Sequence, residues 1–247
     1  MFVTNADRVK WYRVRMPSAA EPVSRRARPA KAPLSRQSIL EAAVALIREN
    51  GVDAVSLRHV AARVETGPAS LYAYFGNRDI LLEHVLDAAY AEVSLVDATD
   101  DGHDWRDALA GTIVHTIETL ETYPGLGTIA LGSIPVLPGA LRLAEHELAL
   151  MEAGGVPADR AALAVDLIAQ FAASTAVERT VRLNRGDVGD DREHVRAAYD
   201  GADPDRFPHV ARSASLLTGP DDAARRDFAI DVLLAGIERS EERVRDA

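Results

Sequence analysis

Ser56 to Arg78 reads SLRHVAARVETGPASLYAYFGNR, and this stretch decides the fold. Ser56 can cap a helix, its hydroxyl oxygen accepting from the free N–H groups of the opening turn. Leu57, Val60, Ala61 and Val64 then recur at the spacing of one helical face. The stripe breaks at Glu65-Thr66-Gly67-Pro68, and Pro68 suits the first turn of a second helix, where its missing N–H costs nothing. That second helix is about two turns long. It carries Leu71 as an inward anchor, small residues at Ala69, Ser70 and Ala73, and two tyrosines, Tyr72 and Tyr74. A helix this short does not persist alone, so the spacing predicts a helix-turn-helix over about residues 56–75, its second helix held out by the first. A small-residue front edge flanked by tyrosine and arginine fits the DNA major groove, with phosphates on either side.

The pattern stays helical outward from this motif. Ser35 is placed to cap a helix running to Asn50, with Ile39, Leu40, Ala43, Leu46 and Ile47 inward and Gly51 as its stop. Asn77 is placed to cap a long linking helix through about Val96, with Ile80, Leu81, Val85, Leu86, Ala89 and Val93 on its apolar side. Proline and glycine punctuate the remainder of the chain. Helices are expected over Trp105–Tyr123, a short piece at Leu126–Ser133, Gly139–Ala153, a long one from Pro157 to about Asn184, Phe207–Leu217 and Asp222–Val244. Residues 185–205 are acidic and glycine-bearing and read as a loop with one helical turn at most. In the last helix Phe228, Val232, Leu233, Ala235, Gly236 and Ile237 are expected inside. There is no convincing strand and no internal repeat. The fold class is all-α.

The net charge is −10 across 247 residues, which as a bulk figure argues against a nucleic-acid partner. Its distribution reverses that: residues 1–33 carry +6, residues 34–78 carry +1 and residues 79–247 carry −17. An acidic body behind a near-neutral reading head is expected when only one end approaches phosphate; an acidic surface serving solubility alone is the plainer alternative. Residues 1–33, with Pro17, Pro22, Pro29, Pro33 and Arg25-Arg26, read as a disordered basic arm. Such an arm either adds phosphate contacts or is a start-site artefact upstream of Met16. Cysteine is absent, which excludes disulfides and thiolate metal sites. No apolar run approaches the ~18 residues of a membrane span and no secretory leader is evident, so the cytoplasm is the expected compartment.

Three patterns are discounted. Gly125-Leu126-Gly127-Thr128-Ile129-Ala130 matches a loose dinucleotide fingerprint, but no strand precedes it. His146-Glu147 and Glu193-His194 lack the second histidine of a zinc-protease motif, and no serine sits in a nucleophile elbow. The expectation is no enzyme, no cofactor and no metal.

Leu34 to Glu83, LSRQSILEAAVALIRENGVDAVSLRHVAARVETGPASLYAYFGNRDILLE, resembles the N-terminal domain of the TetR family of transcriptional regulators. The marks are the Ala42-Ala43 pair, Gly51, Ser56-Leu57-Arg58, Val60-Ala61, Leu71-Tyr72 and Asn77-Arg78-Asp79 before Leu81-Leu82. Glu65, where a small residue is usual, and Ala73, often a larger one, depart from the pattern. A weaker likeness to the tetracycline-repressor type of C-terminal domain runs to the end of the chain. The resemblance implies three parts: an arm (1–33), a helix-turn-helix domain (34–80) and a helical effector-binding and dimerisation domain (81–247). It also implies a homodimer through the helices at about 157–183 and 222–244. The expected protein is a ligand-responsive DNA-binding regulator, a repressor released from a palindromic operator by a small molecule. The alternative is a helical small-molecule-binding or scaffold protein without DNA binding.

Within this reading, Arg58 is assigned to base readout, its planar fork matching guanine O6 and N7, with a phosphate contact or plain surface arginine as the alternative. Ser56 opens the supporting helix. Gly67, Pro68, Ala69 and Ser70 form the leading edge of the recognition helix. Tyr72, Tyr74 and Arg78 are assigned to phosphates, Tyr72 being otherwise a core aromatic, and the Asn77 helix start offers a backbone N–H. Ungapped alignment to the tetracycline repressors puts Ser94, Thr112, Thr116 and Ala130 at ligand positions. Ser94 and Ala130 replace histidines there, so magnesium-tetracycline recognition is not expected. Thr112, Thr116 and Glu147 are the candidate effector residues, ordinary helix-surface residues being the alternative.

Overall fold

The computed structural model describes residues 34–98, 104–184 and 188–239, without side chains for 183–192. The basic arm expected at 1–33 lies outside the described residues. Those described form eleven α-helices and one short 3-10 turn, with no strand among them. They cluster into two units divided between Val177 and Glu178.

Unit one begins with α1 (Arg36–Asn50). Ser35 caps it reciprocally: Ser38 N–H donates to Ser35 Oγ and the Ser35 N–H donates to Ser38 Oγ, which satisfies two orphan donors of the first turn. Ile39, Leu40, Ala42, Ala43 and Ile47 face inward, and Gly51 ends the helix at φ 78. A 3-10 turn (Val52–Ala54) leads to α2 (Leu57–Arg63) and α3 (Pro68–Tyr72). The linking helix α4 spans Arg78–Glu92, and its buried side (Leu81, Leu82, Val85, Leu86, Ala89, Tyr90) joins the core of the first three helices to that of the body. It stops a turn earlier than the pattern to Val96 suggests. Val93 turns to φ −56, ψ 125, and the Val96 N–H donates to Thr112 Oγ1 instead of a helical carbonyl.

The body of this unit continues with α5 (Trp105–Glu121), α6 (Leu126–Gly132) and α7 (Pro138–Ala153). Helix α7 packs on both α4 and α5. Next comes α8 (Ala158–Asn184), whose Ala161, Ala164, Ile168, Ala172, Ala173 and Ala176 are buried while Leu163 and Leu167 stand exposed. Its stretch 158–182 is long and apolar enough to cross a membrane by length and composition, though only a third of that window is buried.

Unit two holds the end of α8, then α9 (Val188–Asp200), α10 (Pro208–Thr218) and α11 (Asp222–Arg239). Two expectations are corrected in this unit. Residues 188–200 are helical where a loop was expected: Arg192 to Tyr199 are mostly good helix formers, and Arg196 and Asp200 pair one turn apart at 3.7 Å. The acidic composition hid that. In α11 the buried seam is Ile230, Leu234 and Ile237, whereas Phe228 and Val232 are exposed (70% and 56%). Both faces of that helix are apolar, and periodicity could not say which one the chain covers itself.

Candidate DNA-reading face and the body behind it

Ser56 caps α2 as its position suggests, accepting from the His59 N–H at 3.1 Å; such a cap contributes about 1 kcal/mol. Leu57, Val60 and Ala61 are buried. The turn closes through Thr66 N–H to Ala61 O at 2.8 Å, and Glu65 sits at φ 52, in the left-handed region. A glycine is the easy choice there, so the departure from the family pattern carries a local strain cost.

Helix α3 hangs on one residue. Leu71 is wholly buried, while Pro68, Ala69, Ser70 and Tyr72 are exposed, Tyr72 at 59%. Gly67 is exposed with open space around its Cα. Arg58, in the first turn of α2, is exposed with no hydrogen bond or ion pair among the described residues, so its guanidinium is unengaged. Asn77 is exposed and caps α4 through its side chain, Oδ1 accepting from Ile80 N–H at 2.8 Å.

Two of the assigned phosphate contacts are corrected. Tyr74 is buried and donates its hydroxyl to Leu34 O at 2.8 Å. Arg78 is half-buried and turns inward, Nε donating to Val55 O at 2.7 Å and one terminal nitrogen to Val52 O at 2.9 Å. The guanidinium thus adds charge-assisted bonds to two carbonyls of the turn before α2, Val52 O also accepting from the Val55 N–H. Both residues brace the reader from behind. Arg63 is likewise engaged, in a two-point pair with Glu49 of α1.

The reader is tied to the body at a place the sequence does not mark. Arg48, on α1, donates to Glu92 at the end of α4 (2.7 Å) and to the Tyr123 hydroxyl after α5 (2.8 Å), with its guanidinium 4.6 Å over the Tyr123 ring. Val52 N–H donates to Pro124 O at 2.9 Å. Burial and the adjacent Glu92 carboxylate push the Tyr123 phenol well above its ordinary range. These partners are 44 and 75 residues apart, so no local periodicity points to them. On α4, His84 contacts Phe75 edge-on at 5.3 Å. Burial, and then the nearby Arg36 charge, hold its pKa below the usual imidazole value.

Thr112, Thr116 and Glu147 turn out to be three of the four buried polar or charged residues described, the fourth being Asp87. Thr116 Oγ1 donates to Thr112 O at 2.9 Å, and Thr112 Oγ1 accepts from Val96 N–H. Glu147 on α7 is 3% exposed, and burial pushes its carboxyl up to about 8. Its neighbour Tyr90 is pushed up to about 12, by burial and then by the Glu147 charge. A carboxyl in an apolar interior with no basic partner is kept neutral at pH 7. No group of three or more metal-ligating side chains occurs among the described residues.

The exposed two-helix reader, its capped supports and the helical body define a helix-turn-helix DNA-binding regulator. Residues 39–85 match the family model for bacterial regulatory proteins of the tetR family, and residues 98–240 match the tetracyclin repressor-like C-terminal domain. The chain belongs to the TetR family. It is 25% identical over 206 residues to the tetracycline repressor protein class G of Vibrio anguillarum, covering 83% of this chain and 94% of that one. Its fold is similar to that of apo ActR from Streptomyces coelicolor, with TM-score 0.77 and 27% identity over 84% of this chain and 96% of the other. It is equally similar to ActR in complex with actinorhodin (TM-score 0.76, 28% identity, 84% and 98% covered). The protein is thus a ligand-responsive DNA-binding transcription regulator and not an enzyme. Members of its family bind operator DNA and small-molecule effectors and act as dimers.

Proposed function

We propose that the protein is a cytoplasmic homodimeric repressor that reads a palindromic operator with residues 34–80 and leaves it when a small molecule enters the body, residues 81–247. One observation carries this: α3 is anchored by Leu71 alone while Ala69, Ser70 and Tyr72 stand exposed, as does an unengaged Arg58 on α2. Arg58 reads a base edge; Gly67, Pro68, Ala69 and Ser70 form the edge that enters the groove, behind the Ser56 cap; Tyr72 and the Asn77 helix start contact phosphates.

The dimer forms through the helices at about 157–183 and 222–244. Leu163 and Leu167 on α8, and Phe228 and Val232 on α11, are large apolar side chains exposed in the single chain. A twofold interface covers such faces and gives two readers the symmetry of a palindrome. The apolar length of α8 is accounted for in the same way. Thr112, Thr116 and Glu147 belong to the effector site: polar groups buried among apolar side chains are what fixes a ligand's orientation. The tetracycline and actinorhodin of its relatives identify no ligand for this chain, and Glu147 gives its site a chemistry of its own.

The test is an electrophoretic shift with the DNA flanking the gene, using wild type and an Arg58→Ala/Tyr72→Ala variant over a salt series. Wild-type binding that weakens steeply with salt, and is lost in a variant that still folds, supports the reading. Equal binding by both proteins, or none by wild type, overturns it.

A further inference from the structure

Helix α7 starts with a deficit. Its N-cap, Leu137, offers no side-chain acceptor and Pro138 has no N–H, so the first free donors are the N–H groups of Gly139 and Ala140. Both are taken by a carboxylate from another helix: Asp87 Oδ1, on α4, accepts from Gly139 N at 2.7 Å and from Ala140 N at 3.1 Å. Asp87 is 2% exposed, and its second oxygen is buried without a hydrogen-bond partner. Gly139 permits the approach, since a Cβ there would overlap the Asp87 backbone carbonyl.

One turn further along the same crossing the bonding runs the other way round. Arg142, one turn into α7, donates to Tyr90 O (3.4 Å) and Val93 O (2.9 Å) where α4 stops, Tyr90 O also accepting from the Val93 N–H. A carboxylate on α4 therefore caps the N-terminus of α7, while a guanidinium on α7 caps the C-terminus of α4. Each charge lies at the helix end whose dipole favours it. Helix ends normally find caps in their own flanking sequence; these two exchange them.

We infer that Asp87 and Arg142 are positioning residues of the DNA-binding response. By capping each other's helix they make α4 and α7 one lever. Displacement of α7 then carries α4, and with it the reading head that begins before Arg78. The inference rests on the proposed effector site only for what moves α7, since Glu147 lies about two turns beyond Gly139 on that helix. A pair of helices packed by apolar side chains alone could slide by fractions of a turn without moving the head. The exchanged caps set directional bonds running both ways across this one crossing, where the end of α4 meets the start of α7, and resist that slide.

The chain has no cysteine, which allows a direct test on the full-length dimer. A single Gln37→Cys on the exposed side of α1 carries a spin label, and pulsed electron paramagnetic resonance reads the distance between the two heads. The DNA probe is a duplex selected from random sequence by the wild-type protein. Asp87→Leu and Arg142→Met are each expected to widen the inter-head distance distribution at least twofold and to weaken duplex binding tenfold or more. Asp87→Asn, which keeps a carbonyl acceptor for Gly139 and Ala140, is expected to stay within threefold of wild type in both. A merely structural role would lower the thermal midpoint but leave both readouts of the folded dimer unchanged. Should Asp87→Leu not fold, Arg142→Met carries the test from the half-buried end of the pair. Distances and affinities within twofold of wild type in folded Arg142→Met overturn the inference. If the wild type selects no duplex, the proposed function fails, while the distance distribution still decides the lever.

Discussion

Glu147→Gln should change how stability depends on pH, and the size of the change can be worked from burial. The Glu147 carboxyl is held near 8 in the folded protein, against 4.5 for the free group. Between those values the unfolded chain releases a proton that the folded chain retains, so each unit of pH rise removes about 1.4 kcal/mol of folding stability. The contribution is fully present below about pH 4.5, falls progressively, and is gone once pH passes about 8, where both states are ionised. The whole swing is on the order of 5 kcal/mol as an upper figure, large against a total of roughly 5–15 kcal/mol. Glutamine has the same shape and no proton to lose. Urea unfolding followed by circular dichroism from pH 5 to pH 9, at one fixed protein concentration because dimers gain stability with concentration, gives the difference between variant and wild type. That difference should be smallest at pH 5, grow in favour of glutamine by about 1.4 kcal/mol per unit, and level off above pH 8. Parallel curves, or a plateau below about 1 kcal/mol, would refute the picture of a neutral carboxyl enclosed without a basic partner.

Two further outcomes are expected. Arg78→Met should lower stability by about 3–6 kcal/mol, the scale for two charge-assisted hydrogen bonds, while the slope of log affinity against log salt stays at the wild-type value; a slope reduced by about one unit would restore Arg78 as a phosphate contact. Phe228→Glu combined with Val232→Glu should give a folded monomer in sedimentation equilibrium that no longer shifts DNA. A persistent dimer would show that α11 pairs through another face.

The reader was legible because its signals are local. The Ser56 cap, the 57/60/61 stripe, the Pro68 start and the Leu71 anchor all lie within about four turns of chain, and each appears in place. Tyr74 and Arg78 were misassigned for a physical reason: sequence shows that a tyrosine or arginine lies near the motif, not which way it points. The Val52 and Val55 carbonyls that Arg78 meets are brought beside it only once the turns are folded. The Arg48–Glu92–Tyr123 joint and the Asp87–Gly139 cap join residues 44 to 75 positions apart, beyond any periodicity. The buried seam of α11 was obscured for a related reason. A helix apolar on two faces has one for its own chain and another for something else, and composition ranks them equally.

That α3 depends on Leu71 alone has an evolutionary consequence. Ala69, Ser70 and Tyr72 contribute nothing to the core, so exchanging them leaves the folding equilibrium nearly untouched. Duplicated copies of such a gene could drift toward new DNA targets one residue at a time, each intermediate as well folded as its parent, while the machinery behind the blade was inherited intact.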